Sequence, residues 1–188
     1  MNKNNTAYDV ICENLDKYID DKKNVLELAC GTGQITFRMA GRSDTWEATD
    51  YSGNMIDEAK KRNTGENYCG NVCFRVQDAT DLTYENNQFD VVVIANALHI
   101  MPSPDAALNE ISRVLKPGGI LFAPTFVYEK GYSKALLWIM EKLGFKTYHK
   151  WQKDEFTEYV SRRGFQVIDA ALIKGKPLSE CVLAACKR

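Results

Sequence analysis

Apolar residues fall along the chain in short strand-like runs that alternate with helix-like stretches. The pattern predicts strands near 25–29, 45–49, 72–77, 90–95, 119–126, 166–173 and 180–187. It predicts helices near 5–19, 33–41, 53–62, 104–115, 132–143 and 154–163. This alternation is typical of an α/β fold with helices on both faces of a mostly parallel sheet. We therefore expect a doubly wound, seven-stranded sheet in a single domain spanning residues 1–188, with an N-terminal helical region at 1–22.

Two connections refine this topology. Ser103 followed by Pro104 is a good helix start, and the segment 116–119 (Lys-Pro-Gly-Gly) should end that helix and lead into the fifth strand. The last two predicted strands are joined by Gly175-Lys176-Pro177, which is too short for a crossover helix. We therefore expect the chain to end in an antiparallel hairpin.

Composition excludes several classes of function. The formal net charge is −1 and no block of Lys and Arg is present, which argues against a nucleic-acid partner. The stretch Met1–Val10 is polar, unlike a signal peptide, and Val91–Ala95 is far shorter than the roughly 20 residues of a membrane span. The six cysteines form no Cys-x-x-Cys pair and lie away from both histidines. We expect no metal site, and reduced thiols in a cytoplasmic protein.

The segment Val25–Thr36 carries the strongest functional signal. An apolar run typical of a buried parallel strand is followed by Gly31-Thr32-Gly33 and then by a helix-like stretch. Glycines at such a turn let the backbone approach a ligand and should leave N–H groups free to bind it. Glu27 lies inside the predicted buried strand, where a charge is costly unless it is paired. We expect a ligand to be its partner.

The turn does not fit a nucleotide phosphate well. Thr36 stands where a dinucleotide fingerprint has Gly or Ala, and no Gly-Lys-Ser/Thr follows. Asp50 and Asp78 end two further apolar runs, so three acids should line one crevice at the carboxyl ends of successive strands. Such a crevice suits cationic groups, ribose hydroxyls and an adenine amine. S-adenosylmethionine has all three and lacks phosphate.

The chain resembles the class I S-adenosylmethionine-dependent methyltransferases, of the type-11 subgroup that includes ubiquinone/menaquinone C-methyltransferases and phospholipid N-methyltransferases. The similarity runs from about 24 to about 125. It rests on four ordered segments: 26–33 (Leu-Glu-Leu-Ala-Cys-Gly-Thr-Gly), 48–55 (Ala-Thr-Asp-Tyr-Ser-Gly-Asn-Met), 76–80 (Val-Gln-Asp-Ala-Thr), and 89–99 (Phe-Asp-Val-Val-Val-Ile-Ala-Asn-Ala-Leu-His) followed by 115–119 (Leu-Lys-Pro-Gly-Gly). Each segment is common, whereas the ordered set is specific.

The resemblance implies a role for each motif residue, with S-adenosyl-L-homocysteine as the cofactor's product. Gly31 and Gly33 would face the methionine part, Glu27 would support the ammonium group, and Asp50 would take the ribose hydroxyls. Ala29, at the usual first glycine, would narrow the turn. The remaining implied contacts are Tyr51 and Met55 flanking the adenine, Asp78 and the Ala79 backbone reading its edge, and Asn96 and Ala97 closing the pocket near the methyl group. Bland alternatives stay open: Asp50 as a helix cap, Asp78 as a turn residue, and Tyr51 and Met55 as packing residues.

Two histidines are candidates for the acceptor side. His99 follows the fourth strand and is a candidate general base or substrate contact, the alternative being a hydrogen-bonded structural role. His149 is a weaker substrate candidate, the alternative being an exposed loop residue. The apolar, aromatic and lysine-rich segment 127–151, with Trp138 as a candidate substrate contact, predicts a lid over the acceptor. Its part 132–151 would otherwise suit peripheral membrane contact.

The leading hypothesis is therefore an enzyme that transfers a methyl group by in-line displacement to a small-molecule acceptor. A non-catalytic S-adenosylmethionine-binding module and a methyltransferase for a membrane-associated lipid or quinol remain alternatives. A dinucleotide-dependent dehydrogenase is disfavoured by Glu27, Thr36 and the terminal hairpin. The protein is expected to act as a monomer or homodimer, and a second subunit could close an otherwise open pocket.

Overall fold

A computed structural model of the chain describes residues 7–65, 68–128, 147–175 and 178–188. The helices are α1 (Ala7–Leu15), α2 (Thr36–Met39), α3 (Gly53–Arg62), α4 (Pro104–Val114) and α5 (Lys153–Ser161). The strands are β1 (Asn24–Leu28), β2 (Thr45–Asp50), β3 (Val72–Val76), β4 (Phe89–Ile94), β5 (Leu115–Phe122), β6 (Thr125–Val127), β7 (Phe165–Ile173) and β8 (Ser179–Lys187). Short 3₁₀ turns occur at Asp16–Tyr18, Ala40–Arg42 and Leu98–Ile100.

The strands form one mixed sheet in the order β3-β2-β1-β4-β5-β8-β6, with β7 paired to the other edge of β8. Strands β3, β2, β1, β4 and β5 pair in parallel, whereas β8 is antiparallel to β5, β6 and β7. The predicted α/β fold with a mostly parallel sheet and a terminal antiparallel hairpin is thus confirmed. From β1 the chain extends the sheet first towards β2 and β3, and then in the opposite direction towards β4 and β5. This change of direction between β1 and β4 opens a crevice at their carboxyl ends.

The fifth predicted strand is interrupted rather than continuous. β5 pairs Phe122 with Ala184 and β6 pairs Thr125 with Cys181, so both pieces keep one register against β8. Pro124 lies between them and has no N–H to donate to a ladder. The strand also begins at Leu115 rather than at 119, because the Lys-Pro-Gly-Gly segment is already extended.

The other boundaries differ from the sequence predictions mainly near the site. The helix expected at 5–19 is α-helical only over Ala7–Leu15 and continues as a 3₁₀ turn. The helix expected at 33–41 begins at Thr36, since the glycine-rich turn occupies the residues before it. The helix expected at 132–143 lies outside the described residues.

Two apolar clusters cover the two faces of the sheet. One contains the buried side chains of α1 and α3, and the other contains those of α4 and α5. Strand β8 contributes alternately to both: Cys181 and Leu183 join the α4–α5 cluster, and Val182 and Ala184 join the α1–α3 cluster. This period of two sets the face on which every β8 side chain lies. Within the described part of the chain, no helix is long and apolar enough to cross a membrane.

Candidate cofactor and acceptor site

The turn after β1 contains a run of left-handed backbone. Ala29 has φ of 55°, Gly31 has 56° and Gly33 has 85°. Only glycine adopts this region at little cost, so Ala29 holds a strained conformation. A Cβ atom on Gly33 would also lie 2.5 Å from the Phe37 ring. The backbone conformation of the turn therefore favours glycine at positions 31 and 33, and at position 33 the Phe37 ring also leaves little room for a side chain.

Both glycine N–H groups are used inside the protein. The N–H of Gly31 donates to Oδ2 of Asp50 at 2.8 Å, and the N–H of Gly33 donates to the Cys30 carbonyl at 3.0 Å. The expectation that N–H groups at the start of the following helix are free to bind a ligand concerns other residues and stays a prediction. Gly31 and Gly33 contribute the path of the backbone. Because glycine has no side chain, the turn lies close to the crevice.

Glu27 is 2% exposed, and the protein supplies two donors to one of its carboxylate oxygens. Its Oε2 atom accepts hydrogen bonds from Oγ1 of Thr36 at 2.6 Å and from Nε1 of Trp46 at 2.8 Å. Two neutral donors of the chain are therefore partners of Glu27, and a ligand as a further partner stays a prediction. Burial raises the pKa of Glu27 to about 7, although both hydrogen bonds act to lower it. The carboxyl group is consequently poised to change charge near neutral pH.

The sequence analysis missed both donors. Thr36 was read only as a departure from a dinucleotide fingerprint, whereas it opens α2 with its hydroxyl directed at Glu27. Trp46 lies on the neighbouring strand, two positions before Ala48, the residue that pairs with Glu27. The signal was available, because a buried acid in β1 requires donors from the next helix or strand.

Asp50 links the glycine-rich turn to the start of α3. Its Oδ1 atom accepts from the N–H of Ser52 at 2.9 Å, while Oδ2 accepts from Gly31. The cap of α3 is Ser52, whose Oγ accepts from the N–H of Met55 at 3.4 Å. Asp50 is therefore not the helix cap. A carboxylate has about four acceptor positions, so two remain for hydroxyl groups of a ligand.

Two cavities meet at this turn. A cavity of about 600 Å³ lies at the carboxyl ends of β1, β2, β3 and β4. Its lining residues are Ala29, Thr49, Asp50, Tyr51, Gln77, Asp78, Ala79, Thr80, Ala97, Ile100, Met101, Pro102 and Ser103. A second cavity of about 310 Å³ is lined by Tyr8, Glu27, Ala29, Cys30, Gly31, Thr32, Gln34, Ile35, Met55 and Ala95. Ala29 borders both, so the crevice has two lobes joined at the strained residue.

Asp78 is a turn residue that also lines the larger lobe. Its Oδ1 atom accepts from the N–H and the hydroxyl of Thr80 at 2.8 and 2.7 Å, and these bonds lower its pKa. Ala79 beside it is buried. The structure thus brings Asp78 and Ala79 together with Asp50 on the larger lobe, where the resemblance places an adenosine. Both interpretations of Asp78 hold geometrically.

The two apolar residues at the start of α3 are exposed. Tyr51 is 77% exposed and lines the larger lobe, while Met55 is 43% exposed and lines the smaller one. They are therefore not ordinary packing residues of the core. They line different lobes, and the contact of both with the adenine that the resemblance implies stays a prediction.

Asn96 and Ala97 follow β4 at the junction with the antiparallel strands. Asn96 has a left-handed φ of 53°, and its N–H donates to the Pro124 carbonyl at 2.8 Å. Its Oδ1 atom is buried and has no hydrogen-bond partner among the described residues. Ala97 lines the larger lobe and the preceding Ala95 the smaller one. The end of β4 thus borders both lobes.

His99 is held in the interior. It is 2% exposed, its Nδ1 atom lies 3.0 Å from Oγ1 of Thr125, and its ring lies 5.4 Å edge-on from that of Phe126. Burial lowers the pKa of His99 to about 4. The expectation of an imidazole near its usual pKa is therefore wrong, and the ring is neutral at pH 7. Its geometry favours the structural role, and its participation in catalysis stays a prediction.

His149 is not an exposed loop residue. Its ring stacks on that of Trp151, with ring centres 5.0 Å apart and an interplanar angle of 8°. The backbone N–H of His149 donates to the His99 carbonyl at 3.1 Å. The described ends of the 127–151 segment meet, since the N–H of Tyr128 donates to the Trp151 carbonyl at 2.9 Å. Trp138 lies outside the described residues, and the lid itself stays a prediction.

The contact of Arg62 with the glycine-rich turn was also not predicted from the sequence. From the last turn of α3, its Nη1 atom donates to the carbonyl and the hydroxyl of Thr32 at 3.0 and 2.8 Å. Its guanidinium also lies 5.7 Å from the centre of the Phe37 ring. Arg62 therefore braces the glycine-rich turn from outside the crevice. The last turn of α3 holds three basic residues, Lys60, Lys61 and Arg62, and the sequence gives no signal that singles out Arg62 for this contact.

The described residues contain no group of three or more His, Cys, Asp and Glu side chains that could hold a metal ion. Across the same residues all six cysteines are free thiols. Burial raises the pKa of Cys30, which lines the smaller lobe, so this thiol is protonated at neutral pH.

Comparisons with known proteins agree with this geometry. The family model described as a methyltransferase domain matches residues 25–119. The demethylmenaquinone methyltransferase of Leptospira interrogans is 43% identical over 100 residues, which cover 52% of this chain and 40% of that protein. The chain thus matches well under half the length of this curated relative.

Solved structures agree on the fold. An S-adenosylmethionine-dependent methyltransferase from Methanosarcina mazei superimposes with a TM-score of 0.76 at 18% identity, covering 92% of this chain and 96% of that one. Magnesium protoporphyrin IX methyltransferase from Synechocystis, with bound S-adenosylhomocysteine, gives 0.74 at 16% identity, covering 96% and 82%. Because the family model matches half of the chain, the resemblance is confirmed: the chain belongs to the methyltransferase-domain family of class I S-adenosylmethionine-dependent proteins.

Proposed function

We propose that this protein binds S-adenosylmethionine in the two-lobed crevice and transfers its methyl group to a small-molecule acceptor. The observation that carries the proposal is the junction at Ala29, where two cavities of about 600 and 310 Å³ meet beside Asp50 and Glu27. A molecule with a nucleoside at one end and an amino acid at the other fits such a pair of lobes.

The carboxylates that line the two lobes match the chemical groups of this cofactor. Asp50 retains acceptor positions for ribose hydroxyls, and Asp78 lies on the same lobe for an exocyclic amine. Glu27 lines the smaller lobe, where an ammonium group would favour its charged form. No cationic side chain lines either lobe in the described residues, so a pyrophosphate would meet only negative charge there.

S-adenosylmethionine supplies a methyl group that its sulfonium already activates. The residues of the chain then have to align the acceptor with the methyl group and to shield the reacting atoms from water. They do not have to activate the methyl group. Asp50 and the turn position one side of the reacting centre, Ala97 and Met101 line the wall on the acceptor side, and apolar side chains there exclude water. His99, neutral and buried, contributes to the packing behind that wall.

The acceptor class is proposed from the relatives. The Leptospira relative and a relative from Hydrogenovibrio crunogenus are named for quinone methylation, the latter at 40% identity over 105 residues. A hydroquinone-like aromatic is accordingly the first acceptor to test. The predicted lid at 127–151 would cover it, and a membrane-associated form of such a substrate would contact 132–151.

Calorimetric titration is the first test. S-adenosylmethionine and S-adenosylhomocysteine should bind, and NAD should bind poorly or not at all. Binding of NAD without S-adenosylmethionine would overturn the proposal.

Release of S-adenosylhomocysteine is then measured with reduced 2-alkyl-1,4-naphthoquinones, phenols, amines and phospholipid vesicles. Cofactor binding without turnover on any acceptor would favour the non-catalytic binding module instead. The variant Glu158→Gln is a matched control, because Glu158 is an exposed residue of α5 that pairs with Arg162 and lines neither lobe.

A further inference from the structure

Glu180 is a buried acid that the cofactor site does not use. It is 3% exposed and lies near the beginning of β8, paired with Phe126 on one side and Ile173 on the other. Because β8 runs antiparallel to β5, its beginning lies at the same edge of the sheet as the carboxyl ends of the parallel strands. Glu180 therefore lies at the level of the crevice.

The face of the sheet is also set. Val182 and Ala184 join the α1–α3 cluster, so Glu180, two residues earlier, faces the same side. Burial first, and then the negative charges of Glu180 and Glu27, raise the pKa of Tyr8, which lines the smaller lobe. Tyr8 on α1 is thus within electrostatic reach of both carboxyl groups.

Asn96 connects Glu180 to the end of β4. Burial raises the pKa of Glu180, and hydrogen bonding by the Asn96 side chain opposes that increase, which places the amide beside the carboxyl group. Ala95 and Ala97 on either side of Asn96 border the two lobes. The pair therefore lies at the end of β4 on the side of β5 and β8, next to residues that line the crevice.

Two acceptor atoms of this pair lack donors. Oε1 of Glu180 and Oδ1 of Asn96 are both buried without a hydrogen-bond partner in the part of the chain that the structure describes. Buried acceptors are normally satisfied, and leaving two adjacent ones unsatisfied is costly. Glu27, on the same face, has two donors from its own chain. The contrast indicates that a ligand supplies the donor at Glu180.

We propose that Glu180 and Asn96 bind a hydrogen-bond donor, a hydroxyl or an ammonium group, of the methyl acceptor. This inference rests on the proposed function for the identity of its ligand, but the recognition of a donor can be measured without turnover. Glu180 would orient the acceptor towards the end of β4. A hydroxyl could use either oxygen, and an ammonium group could use both together with the negative charge.

Binding of small aromatic probes tests the proposal, with and without S-adenosylhomocysteine. 1-Naphthol is compared with 1-methoxynaphthalene, which lacks the donor, and 1-naphthylmethylammonium with 1-ethylnaphthalene. The wild-type protein should bind one donor probe at least fivefold more tightly than its matched analogue. Glu180→Leu should reduce that preference below twofold, while Glu158→Gln leaves it unchanged.

Glu180→Gln distinguishes the two sources of the donor. An amide oxygen still accepts from a hydroxyl, so a preference for 1-naphthol should survive in part, whereas a preference for the ammonium probe should disappear with the charge. Absence of any preference in the wild-type protein, or its survival in Glu180→Leu, would overturn the proposal.

Thermal unfolding supplies an independent readout. If Glu180 serves a ligand, its replacement by leucine removes a buried unsatisfied acid and should raise the melting temperature. A lower melting temperature would assign Glu180 a structural role. A protein that shows the donor preference but fails to bind S-adenosylmethionine would refute the proposed function and leave this site standing.

Discussion

The parallel and antiparallel halves of the sheet treat a buried glutamate differently. In the parallel half, Thr36 and Trp46 donate to Glu27, and the charge has partners before any ligand arrives. In the antiparallel half, Glu180 has Asn96 beside it and an Oε1 atom with no partner within the described ranges. One half is therefore preorganised, and the other keeps hydrogen-bonding capacity for a ligand.

The difference fits the role proposed for each half. A cofactor of fixed structure favours a rigid frame, because a frame that is already satisfied needs no reorganisation on binding. An acceptor is the variable partner, and unsatisfied groups at its site provide selectivity at a cost in stability. The predictions below test this contrast, beginning with the largest expected effect.

Removing the link between the turn and α3 should disable the preorganised half. Asp50→Ala deletes the acceptor of the Gly31 and Ser52 N–H groups and of the proposed ribose hydroxyls. Two hydrogen bonds to a charged group contribute about 1.5–3 kcal/mol each, so the affinity for S-adenosylmethionine should fall by roughly 10²-fold or more. Calorimetry measures the dissociation constant. Asp50→Asn, which keeps one acceptor oxygen, should lose less, and an unchanged constant in both variants would remove Asp50 from the site.

The charge of Glu27 should make stability fall as pH rises. Its folded pKa is raised from 4.5 to about 7, so the folded protein binds more protons than the unfolded chain between these values. The free energy of unfolding contributed by this group is full below pH 4.5 and decreases by about 3 kcal/mol by pH 7.

Denaturant unfolding from pH 4.5 to 8 measures this decrease. In Glu27→Gln, which keeps an oxygen for Thr36 and Trp46, the component should be absent. The same pH slope in both proteins would mean that Glu27 titrates normally. S-adenosylmethionine binding near pH 6.5 should release a proton if the ammonium group favours the carboxylate, and titrations in buffers of different ionisation enthalpy detect it.

The antiparallel side should show the opposite slope. Burial lowers the pKa of His99 from 6.5 to about 4, so its contribution to stability is full above pH 6.5 and is lost as pH falls to 4. His99→Gln should remove up to about 3 kcal/mol of that acid-side loss and should leave turnover at pH 7–8 within a few-fold of the wild type.

The pH dependence of turnover decides between structure and catalysis at this residue. A limb near pH 6.5 that disappears in His99→Gln would restore His99 as a general base. Its absence would confirm that the ring acts through its contact with Thr125.

The sequence predicted the parallel half far better than the antiparallel half. Acids at the ends of successive parallel strands must share one edge, so Glu27, Asp50 and Asp78 could be grouped without coordinates. Glu180 begins an antiparallel strand, where that rule gives no information, and it was passed over as part of a hairpin. His99 was placed correctly after β4, but its burial depends on Thr125 and Phe126, which follow the break at Pro124. Contacts between distant elements could not be read from the pattern.

The smallest effect concerns the brace behind the turn. Arg62→Lys keeps the charge but loses the planar group that donates to both oxygens of Thr32. One hydrogen bond from a charged group contributes about 1.5 kcal/mol at the lower end of its range, so the affinity for S-adenosylmethionine should fall roughly tenfold while the donor preference at Glu180 is unchanged. Calorimetry with the cofactor and with the naphthalene probes separates the two. If Arg62→Lys weakens probe binding as much as cofactor binding, the two halves are coupled through the turn, and the contrast between a preorganised and an unsatisfied half fails.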